Sequence, residues 1–302
     1  MGDAIRFVEV APRDGFQNWP KPVSTEVKER LVRDLLEAGV EMVEATSFVA
    51  PKWVPQMADA EELITRLGPG PQARLRVLVP NRRGLERALA AGARTVVVNV
   101  GATDGFNRKN LNRSVTETLE EIGAICAAAG SVGVQVVGSL SVAWGCPYDG
   151  PVSQERALEV ADGLLQAGCD RLSLADTIGV AQPAAVGYLC REAVVRYGED
   201  RIAVHFHDTR GLGVANVLAA LEAGVREFEG SIGGIGGCPF APRSTGNVCS
   251  EDLLHMLELM GHASGASVPR LLEIAGRLAE ELGRPLPGKL YKAGLEPWVV
   301  TA

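Results

Sequence analysis

Short apolar runs alternate along this chain with longer stretches whose apolar residues recur every three to four positions. The short runs at 5–10, 42–46, 75–79, 95–100, 134–140, 171–175, 202–207 and 227–232 read as strands. The longer stretches near 25–37, 56–67, 82–91, 115–129, 154–167, 183–197, 213–223 and 250–260 read as helices. A repeated junction separates the two kinds of segment. Ala38-Gly39, Ala91-Gly92, Ala129-Gly130, Ala167-Gly168 and Ala223-Gly224 each end a helical pattern and precede a strand. Glycine just past a helix end takes the left-handed conformation that turns the chain into the next strand.

Eight regular strand–helix units mean parallel strands, and eight such units close into a (β/α)8 TIM barrel. The competing architecture is an open doubly wound sheet, but no GxGxxG follows the first strand. We therefore expect an α/β barrel over residues 1–265. Residues 266–302 should form a short C-terminal appendage, with a helix near 268–282 and a tail holding Pro285, Pro287 and Pro297.

Composition narrows the function without naming it. The chain has 302 residues, 46% hydrophobic and 22% charged, with a formal net charge of -7. There is no basic run, which argues against nucleic acid or an anionic membrane as partner. No apolar run approaches the ~18 residues of a membrane span, and the pattern enters its first strand at Ile5 without a signal-like segment. A cytoplasmic protein is the expectation. Cysteines 126, 146, 169, 190, 238 and 249 are scattered with no CxxC, so reduced thiols are expected.

The candidate chemistry centres on VHFHDT, residues 204–209. On a strand, His205 and His207 share one face while Val204 and Phe206 take the other. Such a pair is a chelator or a pair of hydrogen-bonded core imidazoles, and only four histidines occur in the chain. In a barrel the chemistry belongs to the carboxyl ends of the strands. Those ends carry Arg13-Asp14-Gly15 with Gln17, then Glu44, Thr46 and Ser47, then Pro80-Asn81, Asp104, Cys146 to Asp149, and Asp176-Thr177. The eighth strand runs into the glycine-rich loop 233–247.

Each of these residues has a plain structural role open to it. Asp14 and Asp176 would serve as turn or cap residues, and Arg13 with Glu44 as an ion pair. Gathered at one end of a barrel, however, the charges are costly unless they pair or hold a metal. Asp14, His205 and His207, completed by the amide oxygen of Asn247 or by water, would suit a divalent ion. Oxygen ligands shift the choice towards Mg or Mn.

VEVAPRDGFQN (8–18), EATSFVAPKWVPQMAD (44–59), GCPYDG (145–150), ADTIGV (175–180), HFHDT (205–209) and GGCPFAPRSTGNVCSEDL (236–253) together resemble the 3-hydroxy-3-methylglutaryl-CoA lyase family. That family belongs to the wider group of metal-dependent barrel lyases and condensing enzymes. The resemblance implies that Asp14, His205, His207 and Asn247 hold Mg2+ or Mn2+, and that Arg13, partnered by Glu44, stands beside the thioester oxygen. It implies Cys238 on a mobile loop over the site and Asp176 lining it. The hydroxyl proton would go to an acid–base group such as His205 or Cys238, or to a bound water. Substrate contacts are expected at Arg13, Gln17, Ser47 and Asn81. Arg82-Arg83 and Arg108-Lys109 are candidates to meet the CoA phosphates, or else solvated loop charges.

The implied partner is an acyl-CoA thioester and the implied reaction a retro-Claisen cleavage to acetyl-CoA and a 3-keto acid. A homodimer is also implied. Three departures border the site. Val137-Gly138-Ser139 stands where the family usually has Arg-Gly-Tyr, Asp104-Gly105 where it has Ser-Glu, and Arg210-Gly211-Leu212 where it has Tyr-Gly-Gln. The acyl group is therefore open. An acetyl-CoA-dependent condensing enzyme and a non-catalytic acyl-CoA-binding barrel are the alternatives. Synthases of the first kind often carry a regulatory domain beyond the barrel, for which we expect no room here.

Overall fold

Each apolar run becomes, in the computed structural model, a strand buried along nearly its whole length. Residues 4–237 and 246–296 are described. The strands are β1 (Arg6–Glu9), β2 (Met42–Ser47), β3 (Leu75–Leu78), β4 (Thr95–Gly101), β5 (Gln135–Ser141), β6 (Gly145–Cys146), β7 (Gly150–Pro151), β8 (Arg171–Asp176), β9 (Ile202–Phe206) and β10 (Glu227–Gly230). Eight of them close in the order β1-β10-β9-β8-β5-β4-β3-β2, all neighbours parallel. β6 and β7 form a small antiparallel hairpin in the loop after β5.

The helices are α1 (Thr25–Glu37), α2 (Ala60–Leu67), α3 (Arg82–Ala90), α4 (Asp104–Leu111), α5 (Val115–Gly130), α6 (Gln154–Gln166), α7 (Pro183–Tyr197), α8 (Gly213–Glu222), α9 (Ser250–Leu259), α10 (Val268–Glu281) and α11 (Leu290–Ala293). Their apolar faces and the outer faces of the strands make one continuous core. α10 joins it through Leu271, Ile274, Ala275 and Leu278, and Ser267 N donates to Ala38 O at 2.7 Å. Among the described residues no helix is long and apolar enough to cross a membrane.

Four of the five Ala-Gly junctions behave as the caps their sequence predicts, with φ between 92° and 102° at Gly39, Gly92, Gly168 and Gly224. The fifth does not. α5 runs through Gly130, and the left-handed turn falls three residues later at Gly133, φ 70°. Two other differences concern helices. The stretch 56–67 divides into a 3-10 turn, Pro55–Met57, and α2, because Asp59 between them turns its carboxylate to Lys28 Nζ (2.7 Å) and Thr25 Oγ1 (2.9 Å). α4 was not expected. Thr103 caps its start, and Asp104 Oδ1 accepts from Val115 N at 2.8 Å, tying it to α5.

A buried carboxylate at the end of β1 fixes the loops that matter. Glu9 Oε1 accepts from Ala11 N (2.8 Å) and Ile232 N (3.0 Å), while Oε2 accepts from Ser250 Oγ (2.6 Å). Burial raises its pKa to about 8, against the three hydrogen bonds that favour the charged form. Glu9 thereby joins the turn after β1 to both ends of the loop after β10.

Candidate active site

The turn that follows β1 sets the first two functional side chains. Ala11–Gly15 is a tight turn of the π type in which the amides of Arg13, Asp14 and Gly15 all point at Val10 O, at 3.2, 2.7 and 3.3 Å. Such turns recur at functional sites. Arg13 and Asp14 both reach the barrel mouth, with Arg13 Nη1 donating to Asp14 Oδ1 at 2.6 Å.

From the other side, β9 delivers His205 and the residue after Phe206 delivers His207. Their ring centroids are 5.2 Å apart. Segment 246–248 runs antiparallel to this strand end. Asp208 N donates to Gly246 O and Val248 N to Phe206 O, both at 2.9 Å, which sets Asn247 opposite His207. Asn247 Nδ2 donates to Asp14 Oδ2 (2.8 Å) and Ile235 O (3.0 Å). Gly236 passes so close that a Cβ there would lie 2.4 Å from Asn247 Nδ2, and its φ is 112°. Only glycine lets the loop run beside the amide.

Ligand atoms of Asp14, His205 and His207 all lie within 4.8 Å of one another. His207 Nε2 is 3.9 Å from Asp14 Oδ2. Asn247 Oδ1 and His207 Nδ1 are buried with no hydrogen-bond partner. Burial, with His205 beside it, lowers the His207 pKa to about 4, so the ring is neutral and able to coordinate. Burial opposes ionisation of Asp14, but Arg13 and the two histidines outweigh it and hold the carboxylate below its usual range. A divalent cation fits this donor set: one carboxylate, two imidazoles and an amide oxygen that otherwise has nothing to accept from.

Behind these groups runs a line of alternating charges. Arg13 Nε donates to Glu44 Oε1. Glu44 Oε2 lies 2.6 Å from Arg76 Nε, and Arg76 Nη2 lies 2.8 Å from Glu229 Oε1. Glu229 Oε2 is 3.0 Å from His205 Nδ1. Burial disfavours the His205 imidazolium, yet the Glu229 hydrogen bond and charge, with Asp14 added, raise its pKa. With Nδ1 turned to Glu229, Nε2 is the nitrogen left for a ligand. Among Arg13, Asp14, Glu44, Arg76 and Glu229, three carboxylates face two guanidiniums, a surplus that either a protonated His205 or a bound cation would answer.

The profile of the HMGL-like family matches residues 4–277 of this sequence. The chain belongs to the HMGL-like family. It is 41% identical over 289 residues to the mitochondrial hydroxymethylglutaryl-CoA lyase of Homo sapiens, covering 96% of this chain and 89% of that one. It is 40% identical over 310 residues to the (R)-citramalyl-CoA lyase of Chloroflexus aurantiacus, covering 99% and 98%. A solved HMG-CoA lyase of Acinetobacter baumannii, in complex with coenzyme A and 3-methylmalate, superposes with a TM-score of 0.93 at 34% identity, covering 97% of each chain.

The HMGL-like site gathers some of the expected residues and not others. Arg13, Asp14, Gln17, Glu44, His205 and His207 line one open cavity of about 690 Å3, mouth included. Asp176 lies just outside it. Its carboxylate accepts from Val180 N (3.0 Å) and Ala181 N (2.9 Å), so it shapes the turn after β8. Asn81 caps α3 by accepting from Gly84 N at 2.9 Å, and Ser47 Oγ accepts from Val49 N at 3.3 Å. Neither is among the cavity-lining residues. Arg108 and Lys109 are exposed on α4, Arg82 and Arg83 at the start of α3. Arg210 Nη1 donates to Ile178 O (2.9 Å) and Gly179 O (2.8 Å), bracing the same turn as Asp176. Cys238 lies outside the described residues. Arg76, Glu229, Asn99, Ser139 and Ser141 line the cavity and went unread as site residues, Ser139 having been noted only as a departure.

Proposed function

We propose that this HMGL-like chain is a carbon–carbon lyase that uses Mg2+ or Mn2+ to cleave 3-hydroxy-3-methylglutaryl-CoA, or a related branched 3-hydroxyacyl-CoA, releasing acetyl-CoA and an oxo acid. The observation that carries this reading is the Asp14, His205 and His207 cluster, set beside Arg13 in one cavity and completed by the unpartnered Asn247 Oδ1. A cation held there would lower the pKa of the substrate's tertiary alcohol and fix its orientation. Loss of that alcohol proton and scission of the carbon–carbon bond leave negative charge on the acetyl thioester, which takes up a proton to become acetyl-CoA. Arg13 is the donor suited to that developing charge. Glu44 and Asp14 aim its guanidinium and, against the opposing effect of burial, keep it charged. His205 would be taken up as a ligand through its remaining nitrogen, so the proton carrier in this reading is Cys238 or water.

A second acyl group belongs beside the first. (R)-citramalyl-CoA is one methylene shorter, and the relative named for its cleavage matches this chain end to end. The cavity wall nearest β4 and β5 is made of Val97, Asn99, Ser139 and Ser141, small side chains with no charge. The deciding experiment incubates the protein with each thioester, with and without Mg2+ or Mn2+, and follows acetyl-CoA. Metal-dependent appearance of acetyl-CoA supports the lyase. Its consumption in the presence of a 2-oxo acid points to a condensing enzyme, and no change with any thioester removes both readings.

A further inference from the structure

Arg76 enters none of the roles described so far, yet it occupies the middle of the charge line. It sits on β3, 2% exposed, and lines the cavity. Its guanidinium reaches Glu44 on the neighbouring β2 and Glu229 on β10, which lies three strands away around the barrel. Both contacts are ion pairs made by different nitrogens of one guanidinium, at 2.6 and 2.8 Å, and neither has the alignment of a hydrogen bond. Glu44 holds Arg13 and Glu229 holds His205, so Arg76 joins the two arms of the site through their carboxylate partners.

We infer that Arg76 is a positioning residue of the reaction, an ion-pair clamp between two carboxylates across the barrel interior that sets Arg13 and His205 relative to each other. The inference rests on the lyase reading for its kinetic consequence, though not for its geometry. A guanidinium suits the task because its separate nitrogens reach two carboxylates approaching from different strands at once. Lysine at 76 would keep the charge but satisfy one carboxylate at a time. The other would relax, and with it either the donor aimed at the thioester or the tautomer and tilt of the ligand imidazole. Partners of this second kind commonly change metal affinity or rate by ~10–100-fold.

Arg76→Lys and Arg76→Ala test this. Circular-dichroism melts select the folded preparations, and steady-state kinetics with the thioester that wild type cleaves give kcat and KM. For Arg76→Lys we expect kcat down ~10–100-fold with KM within about threefold, since the clamp acts on groups that matter where charge develops. Mn2+ alone, titrated by electron paramagnetic resonance into the metal-free protein, should bind ~10-fold more weakly. Guanidinium ion added to Arg76→Ala should recover part of kcat, and ammonium ion should not, because only the planar ion meets both carboxylates.

Unchanged kcat and Mn2+ affinity in folded Arg76→Lys overturns the inference. So does a loss that follows the melting temperature alone with no rescue by guanidinium, which makes Arg76 a stabilising group only. If wild type cleaves no thioester, the lyase reading falls, and the Mn2+ titration by itself still decides whether Arg76 positions His205.

Discussion

Two halves of the same cavity are built from opposite chemistry. β1, β2, β3, β9 and β10, with their following turns, send in Arg13, Asp14, Glu44, Arg76, His205, His207 and Glu229. β4, β5 and β8, on the facing wall, supply Val97, Asn99, Ser139, Ser141, Ala175 and Thr177. In the first half Arg13, Glu44, Arg76, His205 and Glu229 are each held by a residue from another strand, so changing one of them strands a partner. Removing one member of a buried pair commonly costs ~3–5 kcal/mol. In the second half the polar contacts are local and neutral, such as the Asn99 and Ser141 side chains at 2.9 and 3.1 Å. In the proposed lyase one wall would do the chemistry, and the other would be free to be resized around a substrate.

The largest break in that contrast is expected at the ligands. His207→Ala removes an imidazole whose Nδ1 has no protein partner, so the barrel should stay folded while bound metal and activity disappear together. We expect kcat/KM to fall by at least ~10³-fold, the several kcal/mol that a coordinated cation supplies. Asp14→Ala should do the same, with Arg13 additionally released from its 2.6 Å contact. Metal content by elemental analysis and far-ultraviolet circular dichroism check both. Full activity of wild type after exhaustive chelation would remove the metal from the argument.

Much of this was open to reading in the sequence, for reasons that differ between the halves. Asp14, His205 and His207 sit at strand ends, in motifs where Asp follows Arg or two histidines straddle one apolar residue, so position and spacing both signalled them. Arg76 and Glu229 lie inside strands. Strands of a closed parallel barrel are buried on both faces, which blurs the period-two signal that would assign an inward side chain. Their pairing also joins β3 to β10, a contact that adjacency in sequence does not suggest. Asn81 shows the reverse. It stands at a strand end, but directly before Arg82-Arg83-Gly84, and its side chain is spent on capping α3. The barrel itself followed from eight units and the Ala-Gly caps. α4 escaped because its eight residues carry few apolar positions with which to mark a period.

Arg13→Lys sharpens the comparison at the next level. The charge remains, but lysine has no second arm with which to touch Glu44 and Asp14 while facing the substrate. We expect kcat to drop ~10²–10³-fold, the cost of one misplaced donor at a developing oxyanion. KM should change little, because the contact strengthens only as charge develops. An effect confined to KM would assign Arg13 to ground-state binding, and the charged half would then be a binding wall as well.

The smallest effect is expected on the neutral wall, and it is an effect on choice more than on rate. Ser139 is partly exposed to the cavity on β5, paired in register with Asn99 on β4 and Ser173 on β8. None of these neighbours carries a charge, so a larger side chain at 139 takes space without breaking an ion pair. Ser139→Tyr should leave metal binding as it is and shrink the room beside the acyl chain. One methylene in a pocket discriminates by ~10–200-fold. The ratio of kcat/KM for 3-hydroxy-3-methylglutaryl-CoA to that for (R)-citramalyl-CoA should therefore move by about tenfold, at the low end because the cavity is open to solvent. Equal loss with both thioesters, at unchanged Mn2+ affinity, would mean that this wall does not measure the acyl chain. Loss of Mn2+ affinity would mean that the two halves are coupled, and that the neutral wall is part of the machinery it faces.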